Sequence, residues 1–299
     1  MSRHWSRHGL TWRRLGGRIW DDVLDDNVFG RAAELSFYFL LAIFPLLLFL
    51  TTLFGYFAQS ADLWSNLLEY FRRVVPGSAF RLVVRTLDEI RGGAGGGKLS
   101  IGIVGTLWAA STGMAAMAQG INAAYDARES RPWWKVRLMS LLLTLALAVF
   151  TLVALMLVVA GNRIGALLAG YFGLQHAFTL AWWIGRWPVA LVVLLLAMSL
   201  LYRFAPNQKA RRAGWVTPGA VVAVLVWMLS SLGFRFYLHY YNSYRATYGS
   251  LGAVIILMLW FYMTGAAILI GAEVDSEIER AAMESGWTPA RRAEGKASG

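Results

Sequence analysis

The sequence predicts an all-α, polytopic membrane protein with six transmembrane helices. Six apolar runs carry that prediction: residues 33–57, 99–124, 138–160, 178–202, 216–236 and 251–272. Each is close to or above the ~20 residues that a helix rising ~1.5 Å per residue needs to cross ~30 Å of hydrocarbon. Composition agrees, because 58 % hydrophobic and 15 % charged residues lie outside the soluble range of about 45–50 % and 25 %. Six such runs in 299 residues leave no length for a separate water-soluble domain. The basic residues are the third observation. Of 28 Lys and Arg, 18 fall before the first run, in the second-to-third and fourth-to-fifth connections and in the tail, against 10 in the alternate connections. The positive-inside rule then places both termini in the cytoplasm. The net charge of +11 reads as topology, and no nucleic-acid partner is expected.

The elements follow in order. In segment 1–32, Trp12, Leu15, Ile19 and Val23 recur at steps of three and four, with Arg13, Arg14 and Arg18 on other faces. Such a basic amphipathic helix rests in the headgroup region; a helix packed beneath the bundle is the alternative. About 30 polar and charged residues precede an apolar run too long for a cleavable signal, so the first span is expected to act as its own anchor. Within that span Pro45 removes a backbone donor and should bend the helix in mid-membrane. The outer connection 59–98 carries two amphipathic stretches broken at Pro76-Gly77, which predicts a helical hairpin on the outer face. Its Arg72, Arg73, Arg81 and Arg85 would meet lipid phosphates, or pair with Glu69, Asp88 and Glu89.

Residues 92–100 imitate a phosphate-binding loop. Leu99, however, stands where a magnesium-binding hydroxyl is needed and no strand precedes, so a flexible glycine linker is expected. Gly102, Gly105 and Gly113 in the second span, with Gly265 and Gly271 in the sixth, mark these two as the closely packed centre. The aromatic cluster Phe236, Tyr237, Tyr240, Tyr241, Tyr244 and Tyr248 forms an interfacial belt or, with Arg235, Asn242 and Arg245, a lateral gate for lipid. Residues 33–272 thus make the transmembrane domain, and 273–299 a cytoplasmic tail.

Any site must come from the few polar groups in or beside the spans, since charge in hydrocarbon costs ~2.5–3.5 kcal/mol or more. Glu34, Asn122, Asn207 and Glu273 all fall near the expected cytoplasmic ends, and a polar vestibule forms there if they converge. Otherwise each caps a helix end or meets headgroups. Arg280 lies three residues after Glu277 and is placed to pair with it. The chain has no cysteine, and His4, His8, His176 and His239 have no ligand set around them. No catalytic residue, metal or cofactor is expected.

Three blocks resemble a known family: AAELSFYFLLAIFPLLL at 32–48, IGIVGTLWAASTGMAAMAQGINAAYDARESR at 101–131, and YRFAPNQK, PGA, YGSLGAVIILMLWFY and GAEVDSE between 202 and 277. Together they resemble the YihY/BrkB family of bacterial inner-membrane proteins, which carries an older ribonuclease BN label. Asp275 departs from the asparagine usual there. The resemblance implies a six-helix bundle with cytoplasmic termini, and a non-enzymatic role in moving envelope lipids, phospholipid or lipopolysaccharide precursor. A scaffold that anchors a periplasmic or envelope protein complex is the alternative, and a nuclease the least supported. The resemblance carries forward Pro45, Asn122, Tyr125, Arg131, Pro206, Asn207, Tyr248, Gly249, Gly252 and Glu273 as structural or functional positions. A groove built from Glu34, Asn122, Arg131, Asn207, Tyr248 and Glu273 is the expected lipid route.

Overall fold

A computed structural model describes residues 12–57, 96–159, 175–207, 216–240 and 250–284. Among these residues the chain forms seven helices and no strand: α1 (Trp12–Asp25), α2 (Val28–Phe57), α3 (Gly96–Ala124), α4 (Trp133–Val159), α5 (Gln175–Phe204), α6 (Pro218–Tyr240) and α7 (Ser250–Glu284). Each apolar run falls on one of α2 to α7. Three stretches among the described residues, Trp133–Ala154, Pro218–Leu238 and Val254–Glu284, are long and apolar enough to cross a membrane.

Helix boundaries depart from the apolar runs for identifiable reasons. α7 continues to Glu284 although hydropathy falls after residue 272, because Glu273, Asp275 and Glu277 point inward and are buried. α3 begins at Gly96, so residues 96–100, expected as linker, are helical. α2 is helical through Pro45. α1 and α3 are closed by Asn27 (φ 50°) and Asp126 (φ 49°), the left-handed conformation that Asn and Asp tolerate better than other side chains. At α6 the Thr217 hydroxyl accepts the Ala220 N–H at 3.1 Å, and Pro218 takes the first helical position, where its missing N–H costs nothing. The outer arginines Arg72, Arg73, Arg81 and Arg85, with Tyr248 and Gly249, lie outside the described residues.

The chain divides into two compact units. One is formed by Met1–Phe37, Ala116–Pro132 and Met198–Gly299, the other by Tyr38–Ala115 and Trp133–Ala197. In the first, α7 is the centre. A Cβ on Gly265 would stand 3.4 Å from the Ala32 carbonyl, and one on Gly120 would touch Leu269 at 3.0 Å, so α2 and α3 both approach α7 closely. Gly252 is buried on the same helix. Gly219 and Gly271 leave no room at all, since a Cβ on Gly219 would collide with the Gly271 carbonyl oxygen. The stripe on α1 expected to face headgroups instead meets α6 and α7: Leu15 packs with Val274 and Ile278, flanked by Ile19 and Val222. Of the two arrangements open to α1, packing on the bundle is the one seen.

In the second unit, a Cβ on Gly113 of α3 would stand 3.2 Å from the Ala42 side chain of α2. The Arg137 guanidinium lies 4.0 Å over the Trp108 ring and donates to the Trp108 carbonyl at 2.6 Å. On α4, Leu138, Leu142, Leu145, Val149 and Val153 form an exposed stripe at steps of three and four. On α6, in the first unit, Leu225, Met228, Leu229, Leu232 and Phe236 form another. Water-facing surfaces rarely carry such continuous apolar stripes, whereas acyl chains accept them.

Candidate functional site

Two polar clusters form within the first unit. One joins the end of α3 to the end of α5. Asn122, 5 % exposed, donates from Nδ2 to Glu129 Oε2 at 3.0 Å and accepts the Asn207 N–H on Oδ1 at 2.7 Å. Arg131 grips the same carboxylate through Nε (2.8 Å) and Nη2 (2.6 Å), and Nη2 also reaches the Ala205 carbonyl at 2.9 Å. Asn207 Nδ2 donates to the Arg128 carbonyl and to Ser130 Oγ. The left-handed turn at Asp126 makes this possible, since it brings Ala127 N back to the Asn122 carbonyl at 2.8 Å and turns residues 128–131 towards α5. The Arg131 fork holds the Glu129 carboxyl below the ordinary carboxylate range, against the opposing effect of partial burial.

The second cluster gathers carboxylates from α1, its corner with α2, the loop after α3, and α7. Arg280 reaches Asp22 (3.1 Å), Glu277 (3.0 Å) and Asp126 (2.8 Å), while Arg18 bridges Glu277 and Glu284, both at 3.1 Å. The Glu277–Arg280 pairing read from their spacing is therefore present. Glu277 is fully buried between its two arginines. Glu273 is 1 % exposed, and no donor reaches its Oε1. At the α1–α2 corner, the Asp26 carboxyl has its pKa raised by burial and then by Asp126, with Arg31 opposing.

Two residues before Glu277, Asp275 serves a different contact: its Oδ1 accepts the Gly219 N–H at 2.6 Å at the start of α6, where the helix dipole favours negative charge. An amide oxygen would accept that bond as well, which accommodates asparagine at this position. Tyr202 is buried and donates to the Ile268 carbonyl at 2.6 Å.

The expected vestibule is thus realised only in part. Asn122, Arg131 and Asn207 converge directly, but their polar atoms are bound to one another and to Glu129. Glu273 belongs to the neighbouring cluster, which shares the 125–132 loop through Asp126. Glu34 is exposed on α2, on the face opposite buried Leu35 and Ser36, and is not a member of either. Residues not singled out from the sequence complete the site: Asp22, Asp26, Asp126, Glu129, Arg18 and Gly219. A signal for some of them existed. Four aspartates at positions 21, 22, 25 and 26 interrupt an otherwise basic N-terminal segment. Among the described residues no group of three His, Cys, Asp or Glu has the arrangement of a metal site.

The chain is 40 % identical over 251 residues to a putative ribonuclease-like protein, YfkH, of Bacillus subtilis, covering 84 % of this chain and 90 % of that protein. It is 27 % identical over 276 residues to a UPF0761 membrane protein of Xanthomonas campestris pv. campestris (88 % of this chain), and 26 % identical over 276 residues to one of Xanthomonas axonopodis pv. citri. It spans about 60 % of the length of these Xanthomonas relatives. No solved structure matches. Residues 19–295 match the family described as virulence factor BrkB. With its apolar helices, its closely packed glycines and its clamped polar loop, the chain is a membrane protein that belongs to the BrkB family.

Proposed function

We propose that this chain is a six-span protein of the bacterial inner membrane, with both termini in the cytoplasm, that moves or hands on envelope lipids. Phospholipids and lipopolysaccharide precursors are the cargo class. The observation that carries the reading is the division of labour within the first unit. An exposed apolar stripe runs along α6 from Leu225 to Phe236, while the charged and amide groups gather at helix ends that the basic-residue bias assigns to the cytoplasm. Lipid movement needs that combination of acyl-compatible walls and polar ends for a headgroup. Asp22, Asp126, Glu129, Glu277 and Glu284 are each engaged by Arg18, Arg131 or Arg280, which favours a non-enzymatic role.

The test is reconstitution into vesicles containing fluorescent phospholipid, with transbilayer movement read by quenching of the outer leaflet. Movement faster than in protein-free vesicles, and slowed when Arg72, Arg73, Arg81 and Arg85 are replaced together, is the expected result. Equal rates with and without protein overturn autonomous translocation. Crosslinks from the 59–98 segment to a periplasmic protein would then favour the scaffold.

A further inference from the structure

We propose that the notch between α3 and α4 headed by Arg137 binds one anionic phospholipid of the leaflet in which α4 begins. Its phosphate rests on Arg137 and Lys135, and an acyl chain runs along α4. The Arg137 guanidinium is fixed in place. It lies 4.0 Å over the Trp108 ring and donates from Nη2 to the Trp108 carbonyl at 2.6 Å, so it does not extend towards water as a surface arginine does. Its donors are not all used. Nε is buried and meets no acceptor, and Nη1 has only Thr112 Oγ1 at 3.5 Å, long for a hydrogen bond. A guanidinium offers five donors in a planar fork and accepts none, so an oxyanion is the partner that completes it.

Charge selects the kind of oxyanion. The described residues of the second unit contain no Asp or Glu. Glu129, in the loop before α4, is already held by Arg131 and Asn122. Among the described residues, Lys135 and Arg137 therefore stand at the head of the membrane-crossing stretch Trp133–Ala154 with no carboxylate to balance them, where uncompensated charge is costly. A lipid phosphate is the anion that a bilayer supplies at that depth. The apolar surroundings continue the site. Lys135 Nζ lies 5.3 Å over the Trp134 ring, and exposed Trp134 stands one turn before Leu138, at the head of the exposed stripe through Leu142 and Leu145. Trp133 meets Trp108 with 6.2 Å between ring centroids, in the manner of aromatic side chains at a headgroup boundary. A phosphate site that runs on into an acyl-compatible surface fits a lipid, whereas a free anion has no use for the stripe. Choline-bearing lipids bring a cation of their own beside Lys135 and Arg137 and gain less. A lipid held here need not move across the bilayer, so this site and the translocation proposed above stand or fall separately.

The experiment is native mass spectrometry of the purified, delipidated full chain in neutral detergent, titrated with phosphatidylglycerol or with phosphatidylcholine of the same acyl chains. One phosphatidylglycerol per chain should be retained, with phosphatidylcholine about fivefold weaker. Arg137→Gln should weaken retention about five- to tenfold and Lys135→Gln about fivefold, while Lys98→Gln, near the start of α3, leaves it unchanged. A loss as large in Lys98→Gln overturns the proposal, because net charge alone would then hold the lipid. So does equal retention of the two lipids. Release of phosphatidylglycerol by millimolar inorganic phosphate also overturns it, since the site would then be one for a free anion. In the wild type, a photoreactive phosphatidylglycerol should label residues 104–112 and 133–145, and labelling spread evenly along the chain overturns the assignment. That wild-type reading decides the matter if a variant fails to fold.

Discussion

Replacing Asn122 by leucine tests the clamp between α3 and α5 most directly. Leucine keeps the γ-branching but is larger than asparagine, so overpacking at this buried position can only add to the loss, and Asn122→Asp, of nearly the same size, is its packing control. The substitution removes a neutral bond from the Asn207 N–H, worth about 1 kcal/mol, and a bond to the Glu129 carboxylate, worth about 1.5–3 kcal/mol. Glu129 retains 29 % exposure and its Arg131 fork, so the lower end of that range applies to it. The Asn207 N–H is left without its acceptor, which brings the sum to about 2–4 kcal/mol. Asn122→Asp keeps the acceptor for Asn207 but sets a second carboxylate against Glu129. It should therefore be damaging at neutral pH and recover in part on mild acidification. Reversible unfolding in mixed detergent micelles, followed by the fluorescence of the 14 tryptophans, reads both. A loss below about 0.5 kcal/mol for Asn122→Leu would refute the argument, because it would show that the clamp forms without adding to stability.

Three further outcomes follow. Gly219→Ala should lower stability by about 3 kcal/mol or prevent accumulation, because its Cβ meets the Gly271 carbonyl oxygen and the Asp275 carboxyl, and helix backbone has little freedom to yield. Gly16→Ala, open on all sides in α1, should raise stability by up to ~1 kcal/mol in the same melting assay. The Glu129 carboxyl titrates below its unfolded value, so its contribution is present above the ordinary carboxylate range and lost as pH falls through the folded value. Glu129→Gln should flatten the acid limb of stability against pH and lower the neutral plateau.

How far the sequence reaches can be judged residue by residue. The helices were legible because bilayer thickness imposes a length and hydropathy a boundary, and both are local properties. The exceptions have physical causes too: α7 outruns its apolar stretch because buried Glu277 pairs with Arg280 one turn on and with Arg18 of α1, and no short window along the chain contains the second of these partners. Gly265 and Gly271 were legible as close-packing positions, and Gly120 escaped notice among the many small residues of α3. Asn122 and Asn207 meet through a hydrogen bond, with their polar atoms turned to each other and to the 128–131 loop. Glu129 reads as an ordinary loop acid until the left-handed residue at 126 folds it back. Asp22 and Asp26 carry no local mark of burial in the sequence, since only the docking of α1 half-buries them. The α1 stripe itself is ambiguous in principle: an amphipathic helix is equally suited to headgroups or to a protein groove.

The ion pair between Arg18 and Glu277 spans 259 residues, and this sets a timetable for assembly. At ~5–20 residues per second, a ribosome needs on the order of 13–50 s to make the intervening chain. Throughout that interval the Leu15 and Val23 surface has no protein to lie against. The membrane interface is then its natural resting place, so a helix made before α7 is among the last to find its seat. Truncation before α7 would strand it there, and quality-control proteases would meet a segment still waiting for its partner.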